Sequence, residues 1–319
     1  MKIITFSDIK NLNISYSEMY DWACEMLLHK DGTVLPPKIS MSLDYEGSFL
    51  NVMPSIIPDT VLGYKVSGVK MVSRYPDNIP ALESKIVLFN SENGDTLAFM
   101  DATWITAMRT GAVAAHSIMN FAVKGFTEIS MLGLGNTARA TLLILLSQLD
   151  GRKVHIRLLK HKGQEEDFVQ RFSEYDNVSF SFEENVDKLV KGAQVVISCV
   201  TFAGYDLCRD ESFDEGVLLV PVHTRGFTNC DLFFDKIYGD DYGHICHFKN
   251  FAKFKSFAEV ADVIGGKAVG RENDRERIIA YNVGIAIHDI NFAAHIYKML
   301  EDKREQEIDL GSPLQKFWV

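Results

Sequence analysis

The stretch Ile129-Ser130-Met131-Leu132-Gly133-Leu134-Gly135-Asn136-Thr137-Ala138 decides the fold. A mostly apolar strand runs into a G-x-G-x-x-A turn, and a helical pattern follows over residues 137–149. Gly133 permits the tight strand-to-helix turn, and Gly135 lets the backbone approach a pyrophosphate. Ala138 keeps the third position small enough for close helix–strand packing. The first turn of the helix offers unpaired N–H groups and its positive dipole end to the phosphates. Alone, G-x-G-x-x-A is a common turn. Between a strand and a helix inside a βαβ run, it reads as a dinucleotide cradle.

Outward from this turn, strands and helices alternate. Toward the C-terminus, strand patterns at residues 154–159, 178–182 and 195–200 are separated by helical ones at 166–175 and 186–190. Such alternation, with apolar strands buried on both faces, indicates a Rossmann-type doubly wound parallel sheet of the α/β class. The spacing predicts a long closing helix over residues 278–300, and Gly311-Ser312-Pro313 marks a loose tail. Toward the N-terminus, Ala107, Met108, Ala115, Ile118, Met119 and Ala122 recur at helical steps over residues 103–123, and Gly125 stops that helix. Before it lie strand patterns at 39–43, 48–53, 63–66, 68–72, 85–89 and 96–100. Asn93-Gly94-Asp95 supplies a hairpin turn between the last two. The alternation from Ile39 has the period of a half-buried strand. These strands, after a helix at 17–28, predict a mostly antiparallel sheet in a second, α+β domain.

Length and composition agree. The 319 residues suffice for two domains of roughly 150 residues each. With 47% hydrophobic and 24% charged residues the composition is that of a globular chain, which excludes disordered, collagen-like and disulfide-scaffold classes. Its 33 Lys and Arg against 43 Asp and Glu leave a net charge of −10, against any nucleic-acid footprint of clustered cations. Asp8 and Glu18 interrupt the N-terminal stretch before a signal-peptide core builds up. The most apolar run, Thr141 to Leu149, is far short of the roughly 20 residues of a membrane span. The 5 cysteines are scattered, with no C-x-x-C pair, and read as reduced thiols. A cytoplasmic protein with no membrane partner is expected.

The cofactor type turns on the second strand. NAD-binding turns place an Asp or Glu at its end, about 20 residues on, to hold the ribose 2′-hydroxyl. Here the strand ends in Lys160-His161-Lys162, with no acid before Glu165. Basic side chains where a 2′-phosphate would lie favour NADP(H) over NAD(H), and a merely solvated basic loop remains the alternative. The cofactor-binding candidates are Gly133, Gly135, Asn136, Thr137, Ala138, Lys160, His161 and Lys162, together with Thr110 and Thr201.

Asp101-Ala102-Thr103-Trp104-Ile105-Thr106-Ala107-Met108-Arg109-Thr110-Gly111-Ala112 resembles the D-x-T-x-x-T-x-x-R-T-G-A signature of the ornithine cyclodeaminase/mu-crystallin family. The glycine turn follows at that family's spacing. Gly68-Val69-Lys70-Met71-Val72, with Pro76 and Asn78, is similar to its G-x-K-x-V…P-x-N segment. Gly265, Gly270-Arg271 and Tyr281-Asn282-Val283-Gly284 resemble its C-terminal run. The resemblance implies a substrate-binding and dimerisation domain of residues 1–112 with 285–319, flanking an NAD(P)-binding Rossmann domain of residues 113–284. It implies a homodimeric oxidoreductase that moves hydride between the nicotinamide and the α-carbon of a small amino acid or its imine, as ketimine reductases, alanine dehydrogenase and opine-type dehydrogenases do. An ornithine cyclodeaminase, forming proline and ammonia with no net cofactor turnover, is an alternative reading. A binding protein that keeps the cofactor fold without catalysis is another.

In that family two cations and a lysine converge on the substrate carboxylate and α-nitrogen. Arg109 matches the R-T-G-A arginine, Lys70 matches the G-x-K lysine, and Lys38, after Pro36-Pro37, stands where the family has arginine. A bidentate guanidinium suits a planar carboxylate. A partly buried lysine beside other cations releases its proton more readily, which suits Lys70 to exchange with the substrate amine. Read without the family, Arg109 also fits a helix-surface ion pair and Lys70 a strand side chain reaching for water.

One departure bears on the substrate. Ornithine cyclodeaminases carry an aspartate in the loop after the fifth Rossmann strand, and Arg225 in Val220-Pro221-Val222-His223-Thr224-Arg225 aligns with it. A cation there repels a protonated δ-amine by several kcal/mol at contact distance in a poorly solvated site. The expected substrate therefore has a neutral or anionic side chain, or is a cyclic imine. His223 and Arg225 are candidates for side-chain recognition or proton transfer at the C-terminal edge of the sheet. The cluster Asp240-Asp241-Tyr242-Gly243-His244-Ile245-Cys246-His247 fits no standard zinc spacing, so no metal is expected and Asp241 reads as a helix or loop cap.

Overall fold

The computed structural model describes residues 1–201, 203–223, 226–302 and 307–309. The chain divides into two compact units, one of Met1–Asn13, Gly32–Ile105 and Asp289–Val319, the other of Ile14–Asp31 and Thr106–His288.

The first unit is built on six strands, β1 (Lys2–Ile4), β2 (Ile39–Ser42), β3 (Phe49–Ile57), β4 (Val66–Arg74), β5 (Leu82–Asn90) and β6 (Thr96–Asp101), in the order β1-β6-β5-β4-β3-β2. Only β1 and β6 pair in parallel, so the sheet is mostly antiparallel as expected. Gly94, at φ +81°, sits in the turn joining β5 to β6. The patterns at 63–66 and 68–72 prove to be one strand, because Gly63 turns at φ +77° and pairing then runs unbroken from Val66 to Arg74. Helix α1 (Phe6–Asn11) starts at a capping box in which Thr5 and Asp8 satisfy each other's backbone N–H groups. The half-buried reading of the first strand is corrected. All four residues of β2 are exposed, because β2 is an edge strand and its apolar alternation meets no core within the unit.

The second unit carries eight strands: β7 (Glu128–Leu132), β8 (Val154–Leu159), β9 (Val178–Glu183), β10 (Val195–Ser198), β11 (Leu218–Pro221), β12 (Lys236–Gly239), β13 (Phe257–Glu259) and β14 (Ile278–Tyr281). All pair in parallel, in the order β13-β12-β14-β11-β10-β7-β8-β9. Read from β9 to β14, this is the doubly wound order whose direction reverses between β7 and β10, the crevice where such sheets bind ligands. The remaining helices are α2 (Tyr16–Leu28), α3 (Thr103–Phe121), α4 (Asn136–Ser147), α5 (Gln164–Arg171), α6 (Val186–Val190), α7 (Cys230–Phe233), α8 (Tyr242–Ile245), α9 (Val260–Ile264) and α10 (Ala286–Met299). The core of the sheet is a continuous apolar cluster that includes Leu132, Val196, Leu219, Ile237 and Ile279.

The closing helix expected over 278–300 is two elements. Ile278 to Tyr281 are all buried and pair with β11 on one side and β12 on the other. A short continuous apolar run suits an interior parallel strand as well as a helix, and periodicity cannot separate them. Gly284, at φ +80°, then breaks the chain before α10 begins. Two motif residues prove architectural. A Cβ on Gly111 would lie 2.6 Å from the Ala140 carbonyl carbon, so the R-T-G-A glycine lets α3 and α4 touch backbone to backbone. Arg271 donates to the carbonyls of Phe121, Asn273, Glu276 and Gly216, tying its own loop to two distant chain segments.

Candidate active site

Gly133 ends β7 in the left-handed region, at φ +77°, where a Cβ would lie 2.5 Å from the carbonyl carbon of Cys199. No other residue fits there, and the Cys199 N–H donates 2.8 Å to the Leu132 carbonyl. Gly135 caps α4, with nothing within 4 Å of its Cβ position. Asn136 and Thr137 form the open first turn and Ala138 is buried beneath it. The structure thus brings Gly133, Gly135, Asn136, Thr137 and Ala138 together in one turn, beside unpaired helix N–H groups and open space. A dinucleotide pyrophosphate fits this cradle.

Lys160, His161 and Lys162 follow β8, the neighbour of β7. Lys160 Nζ is 3.1 Å from Glu184, and the His161 N–H donates 3.1 Å to the Glu165 carboxylate. Backbone N–H donors, its own and that of His161, hold the Glu165 carboxyl below its ordinary range. Two acids therefore share the basic loop. Sequence spacing placed Glu165 beyond it, and the N-terminal turn of α5 brings it back.

Lys70 is the largest fully buried polar side chain of the first unit. It lies on the inward face of β4 with Val66, Gly68 and Val72. A Cβ on Gly68 would meet Ile290 Cδ1 at 2.6 Å, so the glycine admits α10 against the sheet. The residue before Ile290 is Asp289, and its carboxylate lies 2.8 Å from Lys70 Nζ, with both side chains almost wholly buried. The two-residue spacing of Gly68 and Lys70 sets helix contact and ion pair on one face. Lys70 was expected to be partly buried; its ammonium is wholly buried and faces an anion. Lys38 precedes β2 in the same unit and is half-buried.

Arg109 lies in α3, 5% exposed. Its guanidinium packs so closely on Gly284 that a Cβ there would be 2.9 Å from Nη1. The Gly284 N–H donates 2.8 Å to Asp240, whose carboxyl is fully buried. Burial pushes that carboxyl up to about 6, against the lowering influence of the Gly284 N–H, Arg109, Lys30 and His244. His288 is completely buried nearby and held well below its usual range, first by burial and then by the charges of Arg109, His116 and Lys30. Thr110, the next residue, bonds its hydroxyl back to the Thr106 carbonyl at 2.6 Å.

At the C-terminal edge of the parallel sheet, Ser198 Oγ and His223 Nε2 share a 2.6 Å hydrogen bond. Ser198 closes β10 and is fully buried; His223 stands two residues beyond β11, its ring stacked on Phe227 at 6.1 Å. Arg225 lies outside the described residues, and Thr201 is exposed three residues past β10. Sequence reading missed Ser198 and Asp289; neither stands in a motif, and only the pairing of distant segments reveals them. In the acidic and histidine-rich segment, Asp241 caps α8 through the His244 N–H, pairs with Lys30 at 2.9 Å, and its carboxyl is held down to about 2 by His244 and Lys30 despite burial. Among the described residues no group of His, Cys, Asp and Glu could hold a metal, and no helix is long and apolar enough to cross a membrane.

The chain as a whole is similar to known proteins. The model of the ornithine cyclodeaminase/mu-crystallin family matches residues 5–304. The N-((2S)-2-amino-2-carboxyethyl)-L-glutamate dehydrogenase of Staphylococcus aureus is 26% identical over 99% of this chain and 99% of its own length. The alanine dehydrogenase of Archaeoglobus fulgidus is 27% identical over 89% of this chain and 88% of its own. Among solved structures, the Thermococcus litoralis Delta(1)-pyrroline-2-carboxylate reductase in complex with NADH and L-proline superposes with a TM-score of 0.83 at 22% identity, over 94% of this chain and 98% of its own. That likeness is one of fold.

Proposed function

The chain belongs to the ornithine cyclodeaminase/mu-crystallin family, and from that premise we propose a nicotinamide-dependent oxidoreductase that interconverts an α-amino acid derivative and its imine. When bound, the nicotinamide supplies or accepts the hydride at the substrate α-carbon. Among family activities we propose the opine type, in which the imine joins an α-keto acid to a second amino acid. The relative that spans 99% of this chain acts on such a secondary amine, N-((2S)-2-amino-2-carboxyethyl)-L-glutamate. A cationic Arg225 suits the extra carboxylate of this substrate class and repels the distal amine of ornithine.

Arg109 and Lys38 grip the α-carboxylate, Arg109 by its planar fork. Lys70, held by Asp289, exchanges the proton of the α-nitrogen. Arg225 serves recognition of the rest of the substrate, and His223 serves proton transfer. Thr110, Thr201 and the glycine turn hold the dinucleotide; Lys160, His161 and Lys162 give preference to NADP(H), with Glu165 and Glu184 limiting it. The working form is a cytoplasmic homodimer, its substrate-binding and dimerisation part residues 1–112 with 285–319.

The observation that carries this reading is the pair of residues at which the family motifs have a physical reason: Gly133, where no side chain fits, and Lys70, buried against Asp289. The test is NADPH and NADH consumption with 2-oxoglutarate plus 2,3-diaminopropionate, pyruvate plus ammonia, and Δ1-pyrroline-2-carboxylate. The keto acid–amine pair gives the highest turnover. Tight cofactor binding with no turnover on any of them overturns the enzyme reading; ammonia release from ornithine without net cofactor change would establish a cyclodeaminase instead.

A further inference from the structure

We propose that His223, held by Ser198, is the base that adds water to the imine in this chain, an inference that rests on the secondary-amine reading above. A secondary-amine dehydrogenase must break a carbon–nitrogen bond after hydride loss, and reduction of a cyclic imine does not. Water has to be activated beside the dinucleotide turn. Ser198 immediately precedes Cys199, whose carbonyl carbon closes under Gly133, and β10 borders the reversal point of the sheet. The Ser198–His223 pair therefore stands where ligands bind in such sheets.

The geometry fixes the ring from two sides. His223 Nε2 lies 2.6 Å from the fully buried Ser198 Oγ, and the ring face stacks on Phe227 with an interplanar angle of 29°. When Nε2–H donates to Ser198, that contact persists in neutral and protonated imidazole alike, and it adds no charge. Proton exchange then belongs to Nδ1. The step balances on this one side chain. The protonated imine carbon accepts the water oxygen, and Nδ1 takes one water proton, giving a neutral carbinolamine. The imidazolium returns that proton to the nitrogen, and the carbon–nitrogen bond breaks with its electron pair on nitrogen. The hydroxyl proton leaves with the amine. The products are a keto acid and an ammonium group, with His223 restored.

The experiment uses the full-length protein with NADP⁺ and N-((2S)-2-amino-2-carboxyethyl)-L-glutamate in a rapid-mixing instrument. In His223→Gln the first turnover of reduced cofactor forms as a burst and the steady-state rate falls at least 100-fold. Ser198→Ala falls about 10- to 100-fold with a changed pH profile, and Ser198→Thr, which keeps the hydroxyl, stays within a few-fold of the parent; these ranges are those of positioned acid–base groups. Burst and steady state falling together, or neither changing, overturns the assignment. Nitrogen-15 NMR of the histidine ring reads the pair without turnover: the Nε2–H tautomer dominates in the parent chain and loses that dominance in Ser198→Ala. If the parent chain does not oxidise this amine, the substrate reading fails, and the pair is judged by the tautomer; an unchanged tautomer in Ser198→Ala overturns it.

Discussion

Lys70 and Arg109 are both buried cations in family motifs, yet the surroundings that hold them differ in kind. Lys70 stands on a strand, its ammonium 2.8 Å from the carboxylate of Asp289, a full opposite charge within its own unit. Arg109 stands on a helix, pressed against the backbone of Gly284, with the Asp240 carboxyl receiving its charge. A directly paired buried charge is strongly coupled to folding, because removing either partner strands the other. The roles proposed above, proton traffic at Lys70 and carboxylate binding at Arg109, follow this difference.

The sharpest way to break this contrast is at Lys70. Lys70→Met lowers turnover by about 1,000-fold, within the range of a lost acid–base group. Asp289→Asn strands the ammonium and destabilises the chain by about 3–5 kcal/mol. The double variant Lys70→Met with Asp289→Leu regains most of that stability but no activity. Denaturant midpoints and turnover, measured together, check all three. A double variant as unstable as Asp289→Asn would show that Asp289 has another structural duty, and a turnover unchanged in Lys70→Met would remove Lys70 from the chemistry.

The same contrast explains what could be read from the chain beforehand. The glycine turn was legible because its requirement is local: Gly133 and the strand and helix on either side are contiguous. The antiparallel sheet was legible from alternation and from Asn93-Gly94-Asp95. Asp289 was not, because its significance arises only when Gly68 admits α10 and brings a residue 219 positions further on to Lys70 (289 − 70). β14 was missed for a related reason, since Ile278 to Tyr281 is apolar throughout and only its insertion between β11 and β12 makes it a strand. β2 erred in the opposite direction: its pattern was that of a strand, but an edge position left it exposed.

Arg109 gives a smaller effect. Arg109→Lys keeps the charge and loses the fork, so KM for the carboxylate substrate rises about 10- to 100-fold while the unfolding midpoint changes little. Gly284→Ala tests the seat rather than the cation. A methyl group would meet Nη1 at 2.9 Å, at a φ of +80° that L-residues adopt poorly. It costs about 1–3 kcal/mol of stability and raises KM a few-fold by displacing the guanidinium. Equal KM in parent and Gly284→Ala would show that the seat does not orient Arg109.

The smallest effect is on the pH dependence of stability around Arg109. The Asp240 carboxyl is raised from 3.8 to about 6, chiefly by burial. Between those values the folded chain keeps a proton that the unfolded chain releases, so this group's contribution falls as pH rises through the window. His116 is lowered from 6.5 to about 4, also by burial. There the unfolded chain binds a proton that the folded chain does not, and the contribution rises with pH between about 4 and 6.5. The two slopes oppose one another. Asp240→Asn removes the falling one, so stability climbs more steeply from pH 4.5 to 7, by on the order of 1–2 kcal/mol. Denaturant midpoints at the two pH values measure it. The same slope in parent and variant would mean that the buried carboxyl beside Gly284 does not titrate in this window, and that Arg109 rests on a counter-charge already ionised.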